Sequence, residues 1–123
     1  MAEKIFLNHT NHPSDKWSSE QISAAKIFGE IKDFPFPNIP PKIDSDEIKK
    51  IVSENLQEIL KISPSAVLCQ GEFNYTFAMV TELKKNNIPV FAATSERIVS
   101  TLTDDDGSIK RISTFRFVRF RNY

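Results

Sequence analysis

Three short polar stretches hold most of the residues able to do chemistry: Asn8-His9, Gln70-Gly71-Glu72 and Thr94-Ser95-Glu96-Arg97. Each follows an apolar run that reads as a buried strand. A parallel sheet gathers the carboxyl ends of its strands on one edge, and ligands in open α/β sheets sit there. Asn74 and Thr76 open a helix directly after the second stretch. The amino end of that helix offers free N–H groups and a positive dipole end, a favourable place for phosphate. Together these residues would make a pocket with donors for base edges, ribose and phosphate. The plainer reading is that strand ends are polar in any α/β domain because loops meet water. That reading suffices for any one residue; the coincidence of three ends argues for the set.

Other chemistries find less support. His9 and His12 stand three residues apart in a polar segment without a Cys or a close carboxylate cluster, which is weak ground for zinc. No metal site is expected. A proton-transfer role suits histidine better, since its side chain titrates near neutrality; His12 before Pro13 also reads as an ordinary loop residue. There is no G-x-S-x-G elbow, and Cys69 lies inside the apolar run before the polar corner. With three glycines in the chain, neither the phosphate-loop nor the dinucleotide glycine pattern can be built. Arg116, Arg119 and Arg121 alternate with aromatics in TFRFVRFRNY. They would stack bases and hold phosphate, or simply form the outer face of a strand whose aromatics point inward.

The elements that must position these residues follow from periodicity. Pro64–Val80 is the centre: a buried strand (Ala66–Cys69), a polar corner where Gly71 allows a tight turn or close ligand approach, and a helix over Phe73–Asn86. In that helix Phe73, Phe77, Val80 and Leu83 form the predicted inward stripe. Before it, Lys4–Asn8 predicts a first strand, and Thr10–Ser19 a loop. A helix capped by Ser18 or Ser19 runs to Phe28 and stops at Gly29, and Glu30–Phe34 predicts a short strand. PFPNIPP excludes helix and central strand. Asp44 or Ser45 caps a long amphipathic helix over Asp46–Ile62. After the central helix come a strand over Pro89–Ala93 and a hairpin, Ile98–Thr103 and Ser108–Tyr123, around Asp106-Gly107. The phase of the last strand changes, which predicts a bulge near Phe117–Val118. The order β-α-β-α-β-α-β plus a hairpin means α/β: a mostly parallel sheet with helices on both faces, extended by an antiparallel pair.

The totals set bounds. At 123 residues one domain is expected, spanning 1–123. Sixteen basic and sixteen acidic side chains cancel, so no overall field draws the chain to duplex nucleic acid or lipid, although a local basic patch is compatible with that balance. A single cysteine gives no disulfide framework. No apolar run approaches ~20 residues and no signal-peptide plan is visible, so a cytoplasmic chain without membrane contact is expected.

FLNH at Phe6–His9, QGEF at Gln70–Phe73, PVFAATSER at Pro89–Arg97, the turn at Asp106-Gly107 and FRFVRFRNY at Phe115–Tyr123 together resemble the small CRISPR-associated Csx-type accessory proteins of type III systems. The likeness runs over nearly the whole chain in the same order. It implies a Rossmann-like, three-layer domain of the CARF kind and a homodimer that binds a cyclic oligoadenylate, most naturally cyclic tetra-adenylate, across its two-fold axis. It also implies ring-nuclease activity without metal or cofactor, in which a ribose 2′-hydroxyl attacks the adjacent phosphorus and leaves a 2′,3′-cyclic phosphate. Carried onto this sequence, the resemblance makes Arg97 the residue for phosphate charge and His9 the proton acceptor. Asn8, Gln70, Gly71, Glu72, Asn74, Thr94 and Ser95 would bind and orient. Two alternatives stay open: a sponge or sensor that binds the ring uncleaved, and a structural accessory protein with no nucleotide.

Overall fold

Strand and helix alternate from the start, and the computed structural model describes them over residues 3–123. Strand β1 (Ile5–Thr10) leads through a 3-10 turn (Ser14–Lys16) to helix α1 (Ser19–Lys26) and strand β2 (Glu30–Asp33). Helix α2 (Ser45–Ile62), strand β3 (Ala66–Gln70) and helix α3 (Phe73–Lys85) follow, then the long strands β4 (Val90–Thr103) and β5 (Ile109–Asn122). The five strands lie in the order β2-β1-β3-β4-β5. The first four strands in that order pair in parallel, and β5 runs antiparallel to β4. The chain is therefore mixed α/β with a mostly parallel sheet and a C-terminal hairpin. After β1 it steps outward to β2 and then crosses back to β3, so the direction of winding reverses between β1 and β3.

The punctuation is chemical. Ser18 caps α1 by accepting from the Gln21 N–H at 3.2 Å. The turn into β2 needs Gly29, because a Cβ there would run into the Lys4 carbonyl. Asp44 caps α2, and Ser63 closes it in the left-handed conformation. The proline tract does more than break the chain: Phe34, Phe36, Ile39 and Ile43 pack on the core beside α2 and α3.

Alternation along the strands divides the core in two. Leu7, Val67, Cys69 and Val90 face α2 and α3 and meet Ile48, Val52, Ile59, Tyr75, Met79 and Leu83. Phe6, Ala66, Leu68 and Phe91 face the other way, toward Ala25 of α1 and the rings of Trp17, Phe28 and Phe120. Phe6 lies 5.0 Å from Phe120 and 5.9 Å from Phe28, ring centre to ring centre. Each fully buried ring or branched side chain contributes about 1.5–3 kcal/mol relative to exposure.

Three expectations are corrected. The inward face of α3 is Tyr75, Thr76, Met79, Val80 and Leu83, whereas Phe73 and Phe77 are 89% and 78% exposed. Spacing alone supports either stripe; the Tyr75 hydroxyl pairs with buried His9 and half-buried Asn55 and so fixes the rotation. Second, β4 does not end at Ala93. Thr94–Arg97 are interior residues of a single 14-residue strand, because β5 supplies partners along its whole length. Third, β1 continues two residues past Asn8 and takes His9 and Thr10 into the sheet. The bulge does appear where the phase change put it: Thr94 pairs with Arg119 and Ser95 with Phe117, leaving Val118 as the extra residue. Phe117 and Phe120 are thereby brought together, 5.0 Å apart. Beyond Ser95 the hairpin leaves the body as an exposed two-stranded arm, closed by Gly107 at φ 85° and by the Asp106 carboxylate, which accepts from Ser108. Among the described residues no helix is long and apolar enough to cross a membrane.

Candidate functional site

Strands β3 and β4 pair only over Val67–Val90 and Leu68–Phe91, and then separate. Gln70 fills the gap with its side chain. Its Nε2 donates to the Ala93 carbonyl at 3.3 Å, and its Oε1 accepts from the Ala93 N–H at 2.8 Å, as a strand neighbour would. Where the strands part, a cleft of ≈ 640 Å³ opens at the carboxyl edge, on the α1 side. Clefts of roughly 300–1,000 Å³ are the size that takes small ligands.

One wall is the loop after β1, which a partly buried hydrogen-bond network holds in place. The His12 carbonyl accepts from Asn8 Nδ2 at 2.9 Å and Trp17 Nε1 at 3.1 Å, the His12 N–H donates to Thr10 Oγ1 at 3.1 Å, and the Thr10 hydroxyl donates to Asn8 Oδ1 at 2.8 Å. Asn8 Nδ2 also reaches Asp33 at 2.9 Å, and Asp33 accepts from the Ser14 N–H. The result places His12, Lys16, Trp17 and Ser18 on the cleft. Thr94, Ser95, Phe115, Arg116 and Phe117 form the opposite wall, aimed by the bulge. Glu20 lies at the same cleft, its carboxyl held below the usual range chiefly by its own backbone N–H, then by Ser18 and Ser19, with a smaller pull from Arg116.

The residues singled out in the sequence are dispersed by this geometry. Gln70, Thr94 and Ser95 line the cleft. Asn8, 1% exposed, supports it from beneath. His9 is fully buried on the opposite face, beside Leu7 in the alternation, and both ring nitrogens are engaged. A carbonyl only accepts, so Nδ1–H donates to Phe34 O (2.8 Å), and Nε2 accepts from the Tyr75 hydroxyl (2.7 Å). Burial holds the imidazole below its ordinary pKa of 6.5, partly offset by the Phe34 carbonyl. Arg97 lies on the arm, and its guanidinium donates to Ser113 Oγ at 2.8 and 3.1 Å.

The amino end of α3 is also taken. Glu72 caps it, accepting from the Asn74 and Tyr75 N–H groups at 2.9 and 2.8 Å, so the protein's own carboxylate sits where a phosphate was expected. Asn74 is exposed away from the cleft lining. Against Gly71 packs the Phe36 ring, which a Cβ would strike. Burial pushes the Cys69 thiol up to about 12, an inert state. No cluster of three or more metal-ligating side chains occurs among the described residues. Sequence reasoning missed Lys16 and Trp17, for which the one available signal was a lone tryptophan in an otherwise polar loop; Phe117 and Arg116 belong to the arginine-aromatic tail already singled out.

A family model described as the uncharacterized protein MJ1673 family matches residues 4–121. A protein of Methanocaldococcus jannaschii, described as uncharacterized protein MJ1673, is 33% identical over 121 residues, which cover 89% of this chain and 92% of that protein. With nearly its whole length matched, the chain belongs to the uncharacterized protein MJ1673 family.

Proposed function

We propose that this chain binds a cyclic oligoadenylate of type III CRISPR defence in the carboxyl-edge cleft and opens the ring slowly without a metal. On this reading the domain is Rossmann-like and layered in the CARF manner, and it works as a cytoplasmic homodimer. One observation carries the reading: Trp17 and Phe117 share a cleft with Lys16, Arg116 and the hydroxyls of Ser18, Thr94 and Ser95. Flat aromatic surfaces suit adenine bases, the two cations suit phosphate, and the hydroxyls suit ribose.

The chemistry asked of the protein is modest. A ribose 2′-oxygen bonds to the adjacent phosphorus as the P–O5′ bond breaks, and the 5′-oxygen leaves with a proton from water. Arg116 and Lys16 stabilise charge on the non-bridging oxygens. His12, on the cleft wall with its backbone fixed by hydrogen bonds to Asn8, Thr10 and Trp17, takes the 2′-hydroxyl proton. The roles the resemblance gave to Arg97 and His9 pass to Arg116 and His12, because Arg97 is tied to Ser113 and His9 is enclosed. Binding without cleavage is the second reading; what favours it is that His12 stands on the cleft without an acidic partner of its own.

The test is incubation with cyclic tetra- and hexa-adenylate in EDTA, with products resolved by chromatography. Linear product ending in a 2′,3′-cyclic phosphate is expected, lost in His12→Ala and weakened at least tenfold in Arg116→Ala, with a smaller change in Arg97→Ala. Intact ring that co-elutes with the protein selects the second reading. Intact ring left free refutes both.

A further inference from the structure

The α3 side of the molecule carries an apolar surface that the cleft does not use. Phe73 and Phe77 stand one helical turn apart, and both are more than three-quarters exposed. Helix α3 leaves the carboxyl end of β3 and runs back along the sheet, so these rings stand at the end from which the arm projects. Beside the helix, against the end of β3 and the C-terminal Tyr123, lies a largely apolar hollow of ≈ 610 Å³ lined by Phe73, Phe77, Val80, Lys84 and Tyr123. Counting along β4 from Val90, which faces α3, puts Ile98 and Leu102 on the same side. Ile112, paired with Ser100, joins them. All three are more than a third exposed. A two-stranded ribbon left open on both faces is marginal in water, so this one requires a cover.

We infer that the cover is a second copy of this chain, the arm of each copy lying along α3 of the other. Three features commit the surface to that occupant. One continuous face holds both a projection and a recess, so a two-fold axis satisfies both reciprocally and closes the assembly. The five apolar side chains expose roughly 500 Å², about what the apolar part of a standard 800 Å² half-interface supplies. Charge fits as well: the arm tip carries Asp104, Asp105 and Asp106, and the last turn of α3 carries Lys84 and Lys85. From Ser95 to Thr103 the arm spans about 27 Å, and α3 spans about 20 Å. An arm running from the phenylalanines in the same direction as α3 therefore brings its acidic tip to those lysines. This inference stands on shape and charge and does not depend on the nucleotide reading.

Light scattering on the eluting full-length chain tests it. The wild type is expected to be a dimer at micromolar concentration. Phe73→Glu with Phe77→Glu raises the dissociation constant at least a hundredfold while leaving the circular dichroism spectrum intact, since neither ring is in the core. Asp105→Lys and Lys85→Glu each weaken the dimer about tenfold, and together they restore it. A monomeric wild type overturns the inference, as does a dimer that survives the double phenylalanine substitution. Failure of the paired charge reversal to restore association overturns the seating of the arm along α3.

Discussion

Replacing Tyr75 by Phe removes one oxygen from the centre of a three-member chain and tests how the core was oriented. The Tyr75 hydroxyl donates to His9 Nε2 at 2.7 Å and accepts from Asn55 Nδ2 at 3.0 Å. Phe leaves the ring packing against Phe36 and His9 intact, so the change isolates the hydrogen bonds. His9 is fully buried, and its Nε2 lone pair has no replacement partner; a buried unsatisfied acceptor costs about 1–3 kcal/mol. Asn55 is only half-buried, and water can take over its lost bond at little cost. The expected loss is about 2 kcal/mol. For a chain of 123 residues the unfolding entropy near the midpoint is roughly 0.26 kcal/mol per kelvin, which converts this loss to about 8 °C in Tm. Urea unfolding at pH 7.5 with unchanged m-value is the assay. A loss below about 0.5 kcal/mol would mean that the hydroxyl is not paired with His9, and the account of why α3 turns Tyr75 inward and Phe73 outward would fall with it.

Three further outcomes follow from buried contacts. Because the folded His9 is held below 6.5, the unfolded chain binds more protons as pH falls through that value. Stability should therefore be full above about pH 7 and decline toward the lower folded pKa, at no more than about 1.4 kcal/mol per pH unit, and His9→Gln should remove that decline in urea titrations across pH 7.5–5. Thr76 Oγ1 is buried without a hydrogen-bonding partner, so Thr76→Val should stabilise by about 1 kcal/mol; a lower Tm would reveal a partner that the hydroxyl holds. A Cβ at position 71 strikes the Phe36 ring, so Gly71→Ala should cost about 1–3 kcal/mol, and a smaller residue in place of Phe36 should return most of it.

How far the fold can be read from sequence depends on whether the deciding partner is near or far along the chain. Ser18, Asp44 and Asp106-Gly107 act on neighbours, and each does locally what its type predicts. The bulge opposite Thr94 was visible for the same reason, as a phase change within one strand. The inward face of α3 was not visible, because Phe73/Phe77 and Tyr75/Met79/Leu83 both recur at helical spacing. The choice is made by His9 and Asn55, 66 and 20 residues away. Thr94–Arg97 looked like a strand end because they are polar. Their strand continues because β5 supplies a partner, and the arm they enter tolerates polar side chains on both faces. Glu72, awkward beside a polyanion, proves to be the cap of its own helix.

The candidate site turned on a difference of two residues in where β1 ends. Had the strand stopped at Asn8, His9 would have entered the loop beside His12 and faced solvent. Because pairing with β3 runs on through His9–Cys69 and Thr10–Gln70, alternation applies to all six residues of the strand. It sends Phe6, Asn8 and Thr10 to the cleft side and Leu7 and His9 to the other. Asn8 and Thr10 then do on the cleft side what polar residues in a strand do best: they fix the loop that carries His12, Lys16 and Trp17. His9, one step out of phase, becomes a core residue whose chemistry is spent on Phe34 and Tyr75. The polar strand ends thus divide into support and contact, and the residues that line the cleft come mostly from the loop, the start of α1 and the bulged hairpin built on that support.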